Sequence, residues 1–212
     1  MKTLLAVLFA VSPVFAAPQP VQDGAPKIRG FVSADIRGTF RDRWDISDNQ
    51  GKIWLNVSSF GNSINFSGRP ISGSLWGSGN YYSISGGGVS GSINKFGNSI
   101  SVRATVSEPG RPMRSINFEL NASGPMNDPN RPPYLYFSGF DANLNFNPSF
   151  NRGYSVSGTI DDERFGDEGL ALACLAAAVV LKDRPQANAV PGQDFLKKSA
   201  VVAPFLKTGF GR

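Results

Sequence analysis

From Leu170 to Leu181 the chain carries twelve apolar residues in succession, five of them alanine. Asp167 and Glu168 precede the run and Lys182 follows it, an order that suits the positive N-terminal and negative C-terminal ends of a helix. As a helix the run is about 18 Å long, too short for a hydrocarbon core of about 30 Å, so it predicts no transmembrane anchor. A helix with no polar face must instead be covered on every side by protein. Ala171, Ala173, Ala176, Ala177 and Ala178 make it a thin rod. A closed sheet can supply that cover: about eight strands fill a barrel with their own side chains, whereas ten or more leave a bore wide enough for a helix.

Residues 31–160 supply the strands. Apolar residues alternate with Ser, Asn or Gly, as in Ile53-Trp54-Leu55-Asn56-Val57 and Ser99-Ile100-Ser101-Val102, and a period of two means a strand with one buried face. Units beginning at Ile53, Ile71 and Val89 repeat at a spacing of 18 residues, and each turns at Gly-Asn: Gly61-Asn62, Gly79-Asn80 and Gly97-Asn98. Gly-Asn supplies the positive φ angles of a tight reversal, so each unit reads as a β-hairpin and the series as a meander. A period near 20 also suits a β-solenoid, but the irregular spacing outside residues 53–106 argues against one. An apolar-x-Gly-Ser/Thr-apolar fragment recurs, with its glycine at Gly38, Gly73, Gly91 and Gly158. These glycines share a strand face with apolar neighbours, which either opens a gap for close approach or bends the strand at a barrel corner.

The ends of the chain read differently from its middle. Lys2, the apolar Leu4–Val11, and small residues at Val14 and Ala16 predict a secretory signal peptide over residues 1–16, cleaved after Ala16. Secretion or a periplasmic location is the expectation. Residues 17–27, rich in Pro, Ala and Gln, read as a flexible leader, residues 28–182 as the barrel with its helix at 167–182, and residues 183–212 as a tail. That tail mixes Phe195, Leu196, Phe205 and Phe210 with Lys197, Lys198 and Lys207, suiting either a surface-binding segment or a cover over one barrel end. Net charge is +5, and +4 without Lys2, spread along the chain. That balance allows weak attraction to an anionic lipid or envelope component and falls short of a nucleic-acid footprint. The lone Cys174 lies in the apolar run and reads as a core residue.

Few groups offer chemistry. The absence of histidine removes the commonest general base and a leading metal ligand, and with it any Ser-His-Asp site. Neither a cofactor motif nor a paired-cysteine metal motif occurs. Asp42, Asp45, Asp48, Asn49 and Gly51 gather oxygen donors in a way that suggests calcium, but the spacing is not that of an EF-hand and a solvated hairpin turn is the expectation. Asp161, Asp162 and Glu163 are the remaining candidates for paired acids, and they also suit the solvated start of a helix. Trp44, Trp54, Trp76, Tyr81 and Tyr82 can line a sugar or lipid groove, with half or more of them expected in the core. Neither catalytic, metal nor cofactor-binding residues are assigned.

The stretch Trp44-Asp45-Ile46-Ser47-Asp48-Asn49-Gln50-Gly51-Lys52-Ile53 resembles the strand, Asp-x-x-Gly turn and strand of the LURP-one-related and YxjI-like proteins of the tubby-like superfamily. Tyr82–Ile84, Gly86–Gly88, Val89–Ile93 and Lys95-Phe96 resemble their later repeat, and Asp167–Ala173 their terminal helix. The resemblance covers roughly residues 35–182 and implies a closed twelve-stranded barrel around a central apolar helix. It also implies a binding or membrane-associated role rather than a catalytic one, although no tubby lipid-binding lysine or arginine maps onto this chain and the cysteine-rich segment of scramblases is absent. The expected function is an exported, non-enzymatic β-barrel binding module for a lipid headgroup, small ligand or envelope partner. The alternatives are an outer-membrane barrel, a structural envelope protein and a hydrolase using only carboxylates.

Overall fold

The computed structural model describes residues 28–184 apart from 41, 109, 111, 127, 129, 130, 150 and 151. The expected signal peptide, the leader and the tail beyond Arg184 therefore lie outside the described residues. Twelve strands follow in chain order: β1 (Ile28–Phe40), β2 (Arg43–Asp48), β3 (Trp54–Phe60), β4 (Ser63–Arg69), β5 (Ser72–Ser78), β6 (Tyr81–Gly87), β7 (Val89–Phe96), β8 (Ser99–Val106), β9 (Arg114–Ser123), β10 (Tyr134–Ser138), β11 (Ala142–Ser149) and β12 (Gly153–Asp161). A single helix, α1 (Gly166–Asp183), ends the described chain. Each strand pairs antiparallel with the next, and β1 pairs with β12 to close the barrel.

The 18-residue units are the hairpins β3–β4, β5–β6 and β7–β8, each joined by its Gly-Asn turn. Gly61, Gly79 and Gly97 have φ of 58°, 64° and 56°, the left-handed backbone that a two-residue reversal demands. All three turns lie at one end of the barrel. Because β12 runs away from that end and α1 returns through the barrel, the helix C-terminus emerges there as well.

Burial follows the alternation. Ile36, Ile46, Leu55, Ile64, Leu75 and Ile93 point inward with no exposed surface. Every residue from Gly169 to Val180 is buried, on all faces of α1. Only enclosure achieves this. Outward positions carry Ser, Asn and Thr, as at Asn56 and Ser58 on β3, Asn65 and Ser67 on β4, and Asn143, Asn145 and Asn147 on β11. The barrel is thus apolar within and polar, mostly uncharged, without. Among the described residues no helix is long and apolar enough to cross a membrane.

At Gly73, Gly91 and Gly158 the recurrent fragment leaves no gap for a ligand. A Cβ on Gly91 would lie 2.0 Å from the Arg103 carbonyl oxygen and 2.7 Å from the Ala104 Cα, so the neighbouring strand already occupies the space. Its φ of 155° lies in the region that side chains avoid. Gly73 and Gly158 share that conformation and a similar approach, to β6 and β11 respectively. The strand-bending reading is the one that fits, since such glycines let a sheet curl tightly enough to close. Gly91→Ala is expected to lower the unfolding free energy by about 2–4 kcal/mol, combining overpacking with backbone strain. At Gly30 an added Cβ meets nothing, so Gly30→Ala is expected to change stability by no more than about 0.5 kcal/mol. Urea denaturation of the two variants checks the contrast.

Candidate functional site

Strand parity sorts the aromatic residues. Trp44 and Tyr82 face inward and are buried, whereas Trp54, Trp76 and Tyr81 face solvent. The expectation that at least half of the five belong to the core is therefore corrected, because Trp54 sits between inward Ile53 and Leu55, and Trp76 follows inward Leu75. Alternation alone could have made the division. It would also have found Phe60, which lies outward at the end of β3, is 88% exposed and was not singled out in the sequence.

Phe60 and Trp76 stand near each other on the outer wall and line one cleft. Phe60 pairs with Ser63, Ser63 with Trp76, Trp76 with Ser83 and Ser83 with Ser92, so all five residues occupy one row across the outer wall. With strands about 4.8 Å apart, the two aromatic positions are separated by about 10 Å along that row. A shallow cleft of about 620 Å³ opens here, lined by Phe60, Gly61, Asn62, Ser63, Asn65 and Trp76. None of the six carries a charge. Tyr81, in the next row toward the rim, pairs with Asn94 and extends the same mixture of aromatic and amide groups. Large exposed rings gathered on a polar wall are the kind of patch that marks an interaction site.

The acidic candidates are dispersed among structural tasks. Asp42 follows β1 at one end of the barrel, Asp45 lies within β2 between inward Trp44 and Ile46, and Asp48, Asn49 and Gly51 form the β2–β3 turn at the other end. The Asp48 carboxylate accepts a hydrogen bond from the Ile53 N–H at 2.9 Å, closing that turn. These five residues therefore share no cation-binding loop, and among the described residues no group of three or more Cys, Asp or Glu side chains is placed to hold a metal. Asp161 is buried, and its Oδ1 accepts from the Glu163 and Arg164 N–H groups at 2.8 and 2.9 Å. It shapes the turn into α1. Asp162 and Glu163 are exposed, and Arg114 ties β9 to this end of the helix through Glu168 and the Glu163 carbonyl.

At the opposite mouth a second polar cluster holds the helix C-terminus. Asp183 accepts from the Tyr82 hydroxyl at 2.6 Å and pairs with Lys95. Lys182 donates to the Tyr82 oxygen at 3.1 Å and lies over the Tyr82 ring. The Lys95 and Asp183 side chains are only 11% and 16% exposed, so the cluster is a clasp between α1, β6 and β7 rather than an open anion site. Burial, then the bond to Asp183, pushes the Tyr82 hydroxyl well above its ordinary range. Burial also pushes up Tyr154, against a weaker pull from Arg184. The Tyr154 hydroxyl finds no hydrogen-bond partner among the described residues. The Cys174 thiol is likewise raised by complete burial, in keeping with a core residue.

The same substitution at these two tyrosines is expected to act in opposite directions. Tyr82→Phe removes a bond to a charged group and is expected to cost about 1.5–3 kcal/mol. Tyr154→Phe removes an unpaired buried hydroxyl and is expected to be neutral or stabilising by about 1 kcal/mol. Chemical denaturation at pH 7 measures both. Because folding raises both tyrosine pKa values, their contribution is fully present below the ordinary value of 10.0 and is lost as pH rises above it. Cys174 adds to the loss from its ordinary value of 9.0 upward. Unfolding free energy is therefore expected to fall between pH 9 and pH 11, and a Tyr82→Phe/Tyr154→Phe double variant to show a shallower fall.

Comparison of the chain with family models, with curated proteins and with solved structures gives no match.

Proposed function

We propose that this chain is an exported, non-enzymatic β-barrel binding module that engages an envelope partner through the outer wall around Phe60 and Trp76. The observation that carries this reading is the exposure of those two large rings, 88% and 63%, together in one uncharged cleft of the outer wall. Exposed aromatic area of this kind is costly in water and is retained where a partner covers it. The kinship proposed with the LURP-one-related and YxjI-like proteins supports a binding role, since the resemblance implies a twelve-stranded barrel around a central helix and no catalytic apparatus.

The competing readings fit less well. A membrane-spanning barrel needs apolar side chains facing lipid and a lumen that is polar. Here outward Asn143, Asn145 and Asn147 flank inward Leu144 and Phe146, the reverse arrangement. A headgroup site at the mouth would use Lys95 and Lys182, but Asp183 already engages both. A carboxylate hydrolase would need Asp161, which is buried and occupied by two backbone N–H groups.

Sedimentation of the purified chain with cell-envelope preparations tests the proposal. The Phe60→Ala/Trp76→Ala double variant is expected to bind at least about tenfold more weakly, as for the loss of a central aromatic anchor. Undiminished sedimentation of the double variant would remove the outer wall from consideration.

A further inference from the structure

We infer that the Phe60–Trp76 cleft binds a neutral, β-1,4-linked polysaccharide chain; the inference rests on the binding-module reading and adds the ligand's chemical class. Three features of the wall carry it. The first is charge: Phe60, Gly61, Asn62, Ser63, Asn65 and Trp76 are all uncharged, so the cleft offers no counter-ion to a phosphate, sulfate or carboxylate. The second is the pairing of flat rings with hydroxyl and amide groups. A pyranose presents C–H bonds on its faces and hydroxyls around its edge, and an aromatic ring with adjacent polar groups can meet both at once.

The third feature is spacing. Phe60 and Trp76 stand in one row with Ser63 between them, about 10 Å apart by the strand separation. In an extended β-1,4 chain each sugar is flipped relative to the last, so alternate sugars present the same face. That repeat is a disaccharide long, close to the backbone separation of the two aromatic positions. Ser63 then lies beneath the intervening sugar, and Asn65, outward on the same strand, lies beside it. Ser83 and Ser92 continue the row past Trp76, where hydroxyls can meet the next units, as far as Arg103 on β8, which bounds the uncharged stretch. A chain lying along this row crosses the β3–β4 and β5–β6 hairpins at right angles to their strands.

Depletion from solution by insoluble cellulose, chitin and β-1,3-glucan particles tests the inference, using the full chain, single alanine variants of Phe60, Trp76 and Trp54, and anionic phosphatidylglycerol vesicles as a comparison. The expected result is retention on cellulose or chitin that survives 1 M NaCl, because a neutral contact is not screened. Phe60→Ala and Trp76→Ala are expected to weaken retention at least tenfold. Trp54→Ala is expected to leave it unchanged, since Trp54 is exposed but lies outside the cleft. Equal weakening by Trp54→Ala would overturn the inference in favour of general stickiness, and retention on β-1,3-glucan or vesicles alone would overturn the linkage or the ligand class. Should no polysaccharide retain the chain while envelope preparations still capture it through Trp76, the glycan inference fails and the binding reading stands. Capture by neither removes both.

Discussion

Desolvation of α1 is the constraint on which the remaining structure depends. Backbone hydrogen bonding is satisfied within the helix, so its side chains need only apolar neighbours, and they need them in every direction. A twelve-stranded cylinder has the converse requirement, because its bore is too wide for its own side chains to fill. Helix and sheet meet each other's need. The alanine-rich composition of α1 sets its girth, while Ile36, Leu55, Ile64 and Leu75 on the strands fill the annulus around it. Polar clusters then fix the rod at both ends, with Arg114 and Glu168 at one and Lys95, Tyr82 and Asp183 at the other.

With the whole apolar account settled inside, the outer face is released from any part in core formation. Ser, Asn and Thr can occupy it because they tolerate the strand backbone and remain hydrated. Against that background a ring such as Phe60 or Trp76 serves no packing purpose in the core, and these two differ from other exposed rings such as Phe96 and Phe140 in lining one cleft together. The separation of duties also explains why the acidic residues are structural. Asp48 and Asp161 each accept backbone N–H groups at a chain reversal, as carboxylates do where local turns replace ladder bonds.

The barrel was legible because its signals are local and repeated. Alternation marks the strands, Gly-Asn marks the hairpins, and the unbroken apolar run at Leu170–Leu181 demands enclosure. The surface cleft was half legible. Trp76 stands out by type, and parity places it outside, whereas Phe60 ends its strand beside a turn, where alternation is a weaker signal. What lay beyond reading was contact across long sequence separations. Nothing near Asp183 announces that Tyr82 and Lys95 will grip it, since that meeting depends on the length of α1 matching the depth of the barrel. In sequence the recurrent glycines leave an open choice, and the approach of the Arg103 carbonyl to Gly91 resolves it through strand coiling that sequence spacing does not encode.

The position of α1 at the end of the described chain has a temporal consequence. All twelve strands emerge from synthesis before the rod that must fill them. Until β12 and then α1 arrive, β1 lacks its far partner along the closing seam and the barrel lacks its filler. Local hairpins such as β3–β4 can form early, but sealing the cylinder requires contacts between distant parts of the chain, which are slow to form. The closing seam and the filler are thus both drawn from the later-made part of the described chain, so local hairpins can precede the sealed cylinder.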